Sequence, residues 1–269
     1  MLNPLAAAFL TAITVLLMTL PASAGPKVLL LWDIKGPLTE ALEEAMAQAG
    51  LEVVYSDANE SGWDGQNPSL KGIDVVVHLN GTTWRTEMPV AGQRALVNFV
   101  KNGGGYIHHE WNSYQMGVGQ MLAMRDIILF DRTSGYAGDI IITRNKDTEA
   151  LHPVTWEVPP VFKMRGSSNI GKAHVFETDP VVVLAKDQHD NDAIAVRQWG
   201  LGRVVGFHHG GNWENATHGE ILSSREARQL FVDAVRWAHG CTRAFRKGER
   251  EAVCKKIEAR RGDSRAGER

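Results

Sequence analysis

Short unbroken apolar runs alternate along this chain with stretches whose apolar residues recur at helical spacing, and that alternation leaves few folds open. Lys27–Trp32 (KVLLLW), bounded by Gly-Pro and Asp, reads as a strand buried on both faces. Pro37–Gly50 follows with apolar residues at Leu38, Leu42, Ala45, Met46 and Ala49, a helical face that Gly50 stops. Leu51–Tyr55 and Ile73–Leu79 are the next strands. Pro89–Lys101 is a second helix capped by Asn102-Gly103, and Tyr106–His109 is a fourth strand emerging from three glycines. The expected fold is α/β, with a flavodoxin-like, doubly wound, mostly parallel sheet.

The remainder is less regular. Asp139–Thr143, His174–Glu177 and Val181–Ala185 read as short strands, and His152-Pro153 opens a Pro-rich connection. Ala193–Gln198 and Arg203–Phe207 form a β-hairpin near the C-terminal side, across Trp199-Gly200-Leu201-Gly202. Ser224–His239 is an amphipathic helix that closes the domain.

The two ends differ from the body. Leu5–Leu20 is apolar and uncharged, and Pro21-Ala22-Ser23-Ala24 supplies small residues before Gly25, so residues 1–24 read as a signal peptide. No Lys or Arg precedes the run, and an uncleaved N-terminal anchor is the alternative. The expected location is periplasmic or extracellular, with no membrane span once the signal is removed. Residues 25–240 form the domain, and 241–269 a basic C-terminal tail. From Cys241 on, ten Lys or Arg face five Asp or Glu, a net of +5, which leaves −7 for the rest of a chain of formal charge −2. An acidic body in an exported protein argues against nucleic acid as a partner. Cys241 and Cys254 are the two cysteines, both in the tail. Paired in an oxidising compartment they would contribute about 3 kcal/mol; unpaired thiols are the alternative.

Ligands of open parallel sheets bind beyond the carboxyl ends of the strands. Those ends carry Trp32 and Asp33; His78, Asn80, Thr82, Thr83, Trp84 and Arg85; His108, His109, Glu110, Trp111 and Asn112; and His208, His209, Asn212, Trp213, Glu214 and His218. Indole planes offer an apolar surface to the C–H face of a sugar, and the polar side chains suit its hydroxyls. Trp32, Asp33, Asn80, Trp84, Arg85, Trp111, Asn212 and Trp213 are the candidate substrate-binding residues; tryptophans as lids over the core are the bland reading. His108, His109, Glu110, His208 and His209 are the candidate catalytic residues. Two histidines with Glu110 could hold a divalent metal, or one could serve as a general base, or the histidines are structural. Adjacent strand residues point to opposite faces, so one of each pair should pack beneath a helix. Sequons at Asn59, Asn80 and Asn215 read as chance matches.

Several of these segments resemble the ThuA-like trehalose-utilization family, over about residues 27–240. They are Gly72–Val77, then Gln93–Gly105 with its Gly-rich turn, Leu151-His152-Pro153-Val154, the Ala195–Val204 segment with Gly200-Leu201-Gly202-Arg203-Val204, and Val235-Arg236-Trp237-Ala238. The resemblance implies the fold of class I glutamine amidotransferases. Those enzymes carry a nucleophilic Cys after the strand equivalent to Tyr106–His109, where this chain has His108-His109-Glu110-Trp111 and no Ser before Ser113. A thioester route needs a thiolate, so glutaminase chemistry is excluded. The family pattern places a His after the Gly-rich turn, a role His108 or His109 can fill, and a second His later than His208 and His209 fall. Phe162-Lys163-Met164-Arg165 replaces the acidic and aromatic residues expected after His-Pro.

The resemblance implies action on a sugar or keto-sugar derivative, by His/Glu acid–base or metal-assisted chemistry. The alternative is a non-catalytic carbohydrate-binding module, or a subunit serving a partner enzyme or its own homo-oligomer.

Overall fold

The computed structural model describes residues 25–146, 152–210 and 221–240. The expected signal peptide, the basic tail with Cys241 and Cys254, and Leu151, Asn212, Trp213, Glu214, Asn215 and His218 lie outside the described residues.

In chain order the elements are β1 (Lys27–Leu31), α1 (Pro37–Gln48), β2 (Glu52–Tyr55), β3 (Val75–His78), α2 (Val90–Lys101), β4 (Gly105–His108) and α3 (Glu110–Gly117). Then follow β5 (Phe130–Arg144), β6 (Val161–Ala173), β7 (Val182–Asp187), β8 (Asp192–Trp199), β9 (Gly202–Phe207) and α4 (Arg225–Ala238). All nine strands form one sheet in the order β2-β1-β3-β4-β9-β8-β7-β5-β6. From β2 to β9 the pairs are parallel; from β9 to β6 they are antiparallel. The sheet is therefore half parallel and half antiparallel, within a mixed α/β fold. Among the described residues no helix is long and apolar enough to cross a membrane.

The parallel half forms because its strands are apolar on both sides. Val28, Leu30, Val75, Val77, Ile107 and Val205 share one buried cluster with Leu42 of α1 and Leu230 of α4. Leu29, Leu31, Val76, Tyr106 and Val204 share the other with Leu96 and Val100 of α2 and with a 3-10 turn over Leu122–Ile127. Burying a Leu- or Val-sized side chain is worth about 1.5–3 kcal/mol, so a layer of helices on each face is strongly favoured. Both α1 and α2 end on a glycine in the left-handed region, Gly50 at φ +79 and Gly103 at φ +107. Leu51 N–H bonds back to Met46 O at 3.0 Å, and Gly104 N–H to Phe99 O at 2.9 Å, satisfying carbonyls of the last turn.

Several expected elements are revised. Asp139–Thr143 is part of the fifteen-residue β5, whose partner β6 begins at Val161, just after the Pro-rich connection, where no strand was expected. His174–Glu177 is not a strand: β6 ends at Ala173, and His174 turns its ring to the Asp131 carboxylate at 2.9 Å. The fourth strand stops at His108, and His109 opens α3, a helix without apolar periodicity.

β4 and β9 lie side by side with His108 opposite Gly206. A Cβ at Gly206 would sit 2.7 Å from His108 Nε2 and 2.8 Å from Phe130. Both neighbours are fully buried and belong to packed strands, so neither can withdraw cheaply. Gly206→Ala is expected to lower unfolding stability by about 1–3 kcal/mol, read from urea midpoints. An unchanged midpoint would show that the His108–Phe130 packing is slack.

Candidate functional site

At the carboxyl ends of β3, β4 and β9 the side chains change from apolar to polar without becoming exposed. His78, Asn80, His108, His109, Glu110, Asn112, His208 and His209 are all buried there. The strand alternation sorts the histidines. His108 stacks on Tyr106, centroids 6.1 Å apart, and meets Phe130 edge-on at 6.0 Å. His208 stacks flat on the same Phe130 at 4.4 Å. His209 takes the other face, against Phe207 at 5.3 Å.

Hydrogen bonds fix the tautomers. His108 Nε2 accepts Leu129 N–H at 3.0 Å, and His109 Nε2 accepts Asn80 N–H at 2.8 Å, so each ring carries its proton on Nδ1. His208 is reversed: Nδ1–H donates to Asp192 O at 2.9 Å, leaving Nε2 as a bare acceptor with no partner among the described residues. Neither ring nitrogen of His209 makes a well-formed hydrogen bond there, although the adjacent Gly210 backbone favours its charged form. Burial lowers all four, His108 to about 3, His208 and His209 to about 4, and His109 well below its ordinary value. The rings are neutral at physiological pH.

Glu110 is the reverse case. Burial pushes its carboxyl up to about 8, while the Ser167 hydroxyl and the Arg132 guanidinium pull it down less strongly. Ser167 Oγ–H donates to Oε2 at 2.5 Å, Glu110 N–H donates to His209 O at 3.2 Å, and Asn169 Nδ2 donates to Glu110 O at 3.0 Å. The β5/β6 ribbon thus fixes a protonated acid over the end of β4.

Other buried polar atoms nearby lack partners among the described residues: Asn80 Oδ1, His109 Nδ1, Asn112 Nδ2 and Ser113 Oγ. Each unpaired buried group costs about 1–3 kcal/mol, and native proteins keep few of them. The second hydrogen-bonding atom of Asn80 and of Asn112 is used. Asn80 Nδ2 donates to Gln115 Oε1 at 2.6 Å, and His109 N–H donates to Asn112 Oδ1 at 3.1 Å. Gln115 also donates to Trp84 O and Thr86 O, tying the 80–86 loop to α3.

The half-buried aromatic residues sit on that loop and helix. Trp84 and Trp111 lie 6.1 Å apart with Tyr114 edge-on to Trp84 at 5.2 Å; Arg85 covers Trp84, and Arg132 covers Tyr114. The other candidates are engaged differently. Trp32 donates Nε1–H to Ser56 O at 2.8 Å and lies under Lys35. Asp33 accepts from Ile34 and Thr82 N–H at 2.7 and 2.8 Å, holding the start of the same loop. Among the described residues, no three His, Cys, Asp or Glu side chains are placed to hold a metal ion.

Sequence reasoning missed Phe130, Arg132, Ser167, Asn169, Tyr114 and Gln115, which stand on the unrecognised ribbon and helix. It also missed a buried chain in which Thr83 Oγ1–H donates to Glu60 at 2.6 Å, Glu60 meets His78 Nε2 at 3.1 Å, and His78 Nδ1 meets Tyr106 OH at 2.8 Å. Burial, with Glu60 adding to it, raises the Tyr106 hydroxyl well above its ordinary pKa.

Opposite pH dependences follow. Glu110, raised on folding, stabilises fully below its unfolded value near 4.5 and loses that contribution as pH climbs through about 8. The histidines, lowered on folding, destabilise as pH falls from 6.5 toward about 4. Glu110→Gln keeps the neutral form at all pH, so its melting temperature relative to wild type should rise from about pH 5 to about pH 8 and level off above that. A constant difference would mean that Glu110 is already ionised in the folded protein.

No protein-family model matches the sequence, and no curated protein matches it significantly. Solved structures are similar. A ThuA-like protein from Parabacteroides merdae ATCC 43184 has a TM-score of 0.55 at 11% identity, over 80% of this chain and 90% of that one. A ThuA-like protein from Bacteroides uniformis ATCC 8492 gives 0.55 at 15%, over 84% and 97%. A cytoplasmic protein from Salmonella typhimurium gives 0.57 at 13%, over 79% and 98%. Identities this low speak for the fold, and the fold of this chain is that of the ThuA-like proteins.

Proposed function

We propose that this is an exported ThuA-like protein that binds a sugar or keto-sugar derivative at the carboxyl ends of β3, β4 and β9 and acts on it by acid–base chemistry. Its parallel half then serves as a flavodoxin-like, doubly wound platform, and the antiparallel half as the support for the acid.

One observation carries the reading: unpaired buried hydrogen-bonding atoms gather beside a protonated carboxyl and half-buried indoles. The set mixes donors, His109 Nδ1–H and Asn112 Nδ2–H, with acceptors, Asn80 Oδ1 and His208 Nε2. Hydroxyls both donate and accept, so a polyhydroxy ligand can satisfy both kinds. Trp84 and Trp111 offer apolar planes for its C–H face. In this reading Glu110 is the general acid, kept protonated by burial, and His208 or His209 is the neutral base. Metal assistance is less favoured, because Nε2 of both His108 and His109 is occupied by a backbone N–H.

That same occupancy supports a second reading, a non-catalytic carbohydrate-binding module in which His108 and His109 only lock the loops. Thermal shift against a panel of mono- and disaccharides, trehalose included, tests both. At least one saccharide should raise the melting temperature of the wild type, and Trp111→Ala should abolish the rise. Turnover of that saccharide, followed by NMR, should vanish in Glu110→Gln while its binding persists. Binding without turnover in the wild type selects the module; no shift with any saccharide removes both readings.

Export rests on the apolar segment before Gly25. Intact mass of the protein recovered from a bacterial periplasm should correspond to a chain beginning at Gly25. A full-length mass in the membrane fraction would favour the uncleaved anchor.

A further inference from the structure

A groove of about 640 Å³ runs between α1 and α4, and none of its lining residues belongs to the candidate site. Its volume lies within the range of small-molecule sites, about 300–1,000 Å³. Arg225, Arg228, Gln229 and Arg236 line it from α4. Their spacing of three, one and seven residues puts them on one face of the helix. Gln48 of α1 lines the opposite wall, and Glu157 is the one carboxylate among the described lining side chains.

The three guanidinium groups are held to different degrees. Arg228 is oriented by Leu222 O at 2.6 Å and Ser223 O at 2.9 Å. Arg236 reaches Ala49 O at 3.4 Å and Asp233 Oδ1 at 3.5 Å, both long for charged hydrogen bonds. Arg225 is exposed and pairs with no described residue. Asp233 also takes Gln229 Nε2–H at 3.1 Å from the buried side of the helix, so part of the carboxylate charge opposing the arginines lies beneath the groove. Three forked donors on one wall, with unused hydrogen-bonding capacity on two of them, form a concave cationic surface inside a body that is acidic overall. Guanidinium forks match the paired oxygens of oxyanions.

We infer that the α1/α4 groove is a second binding site, for a small oxyanionic ligand bearing phosphate or carboxylate groups, held by Arg225 and Arg236 with Arg228 as a preset third contact. The inference does not depend on the sugar reading of the sheet-end site.

Isothermal titration of the full chain with inorganic phosphate, and separately with citrate, at low salt tests it. Saturable one-site binding of either anion is expected. Arg225→Ala should weaken it by about tenfold, the loss of one charge-assisted contact, and Arg236→Ala by a similar factor. Arg165→Ala, an exposed arginine on β6, should leave it unchanged. Phosphate binding alone assigns a phosphorylated ligand, and citrate binding alone a polycarboxylate. Should Arg236→Ala fail to fold, the Arg225→Ala result decides, since Arg225 is exposed and pairs with no described residue. Failure of both anions to saturate, or affinities that Arg225→Ala leaves intact, would overturn the inference.

Discussion

The packing of Phe130 against the edge-on ring of His108 and the stacked ring of His208, at the carboxyl end of the sheet, is the contact on which the rest of the architecture depends. It joins β4, β9 and β5, so it ties the parallel half of the sheet to the antiparallel ribbon. It exists because position 206 has no side chain. Neutral imidazole suits such a place, being flat enough to stack and able to satisfy a backbone group in the adjoining turn. His108 does this for Leu129, and His208 for Asp192. A charged imidazole there would lose its hydration, a cost that the pull of Asp187 on His208 does not offset.

With the ribbon fixed, the start of α3 becomes a buried polar cluster. The helix buries Glu110, Asn112, Ser113 and Gln115 where an ordinary surface helix would bury leucines. Ser167 and Asn169 arrive from β6, more than fifty residues away in sequence, to hold the Glu110 side chain and carbonyl. The result is a carboxyl protonated near neutral pH beside histidines that are deprotonated, an acid and bases separated by environment rather than by residue type. The indoles of Trp84 and Trp111 lie 6.1 Å apart on the adjoining loop and helix, and Gln115 holds the Trp84 carbonyl.

The two faces of the molecule thus offer different chemistry. The sheet end holds buried neutral donors and acceptors beside aromatic planes, the features on which the proposed sugar site rests. The α1/α4 seam presents guanidinium groups on a helix face whose reverse side is core, a setting for anions. The same helix can serve both purposes because its buried stripe, Leu230, Phe231, Ala234 and Ala238, leaves the arginine stripe free to face outward.

Local pattern was enough for the parallel half. Short continuous apolar runs flanked by turn residues read as strands covered on both sides, and Gly50 and Gly103 end the two helices where a positive φ is needed, so β1 to β4, α1, α2 and α4 were legible from the residues alone. That His108 and His208 end neighbouring strands follows from the parallel pairing of β4 and β9, which brings their carboxyl ends to one edge. Of the β5/β6 ribbon only the Asp139–Thr143 end of β5 was legible, and α3 was not. Around α3 and the middle of β6 the buried side chains are polar, Asn112, Ser113 and Gln115 with Ser167, Ser168 and Asn169, and they leave no apolar period of 2 or 3.6 there. What each histidine nitrogen touches, and that Glu110 keeps its proton, were likewise decided only by tertiary structure. A pKa and a tautomer belong to the surroundings of a side chain, and those surroundings are assembled from Leu129, Asn80, Asp192 and Ser167, residues that no sequence neighbourhood brings together.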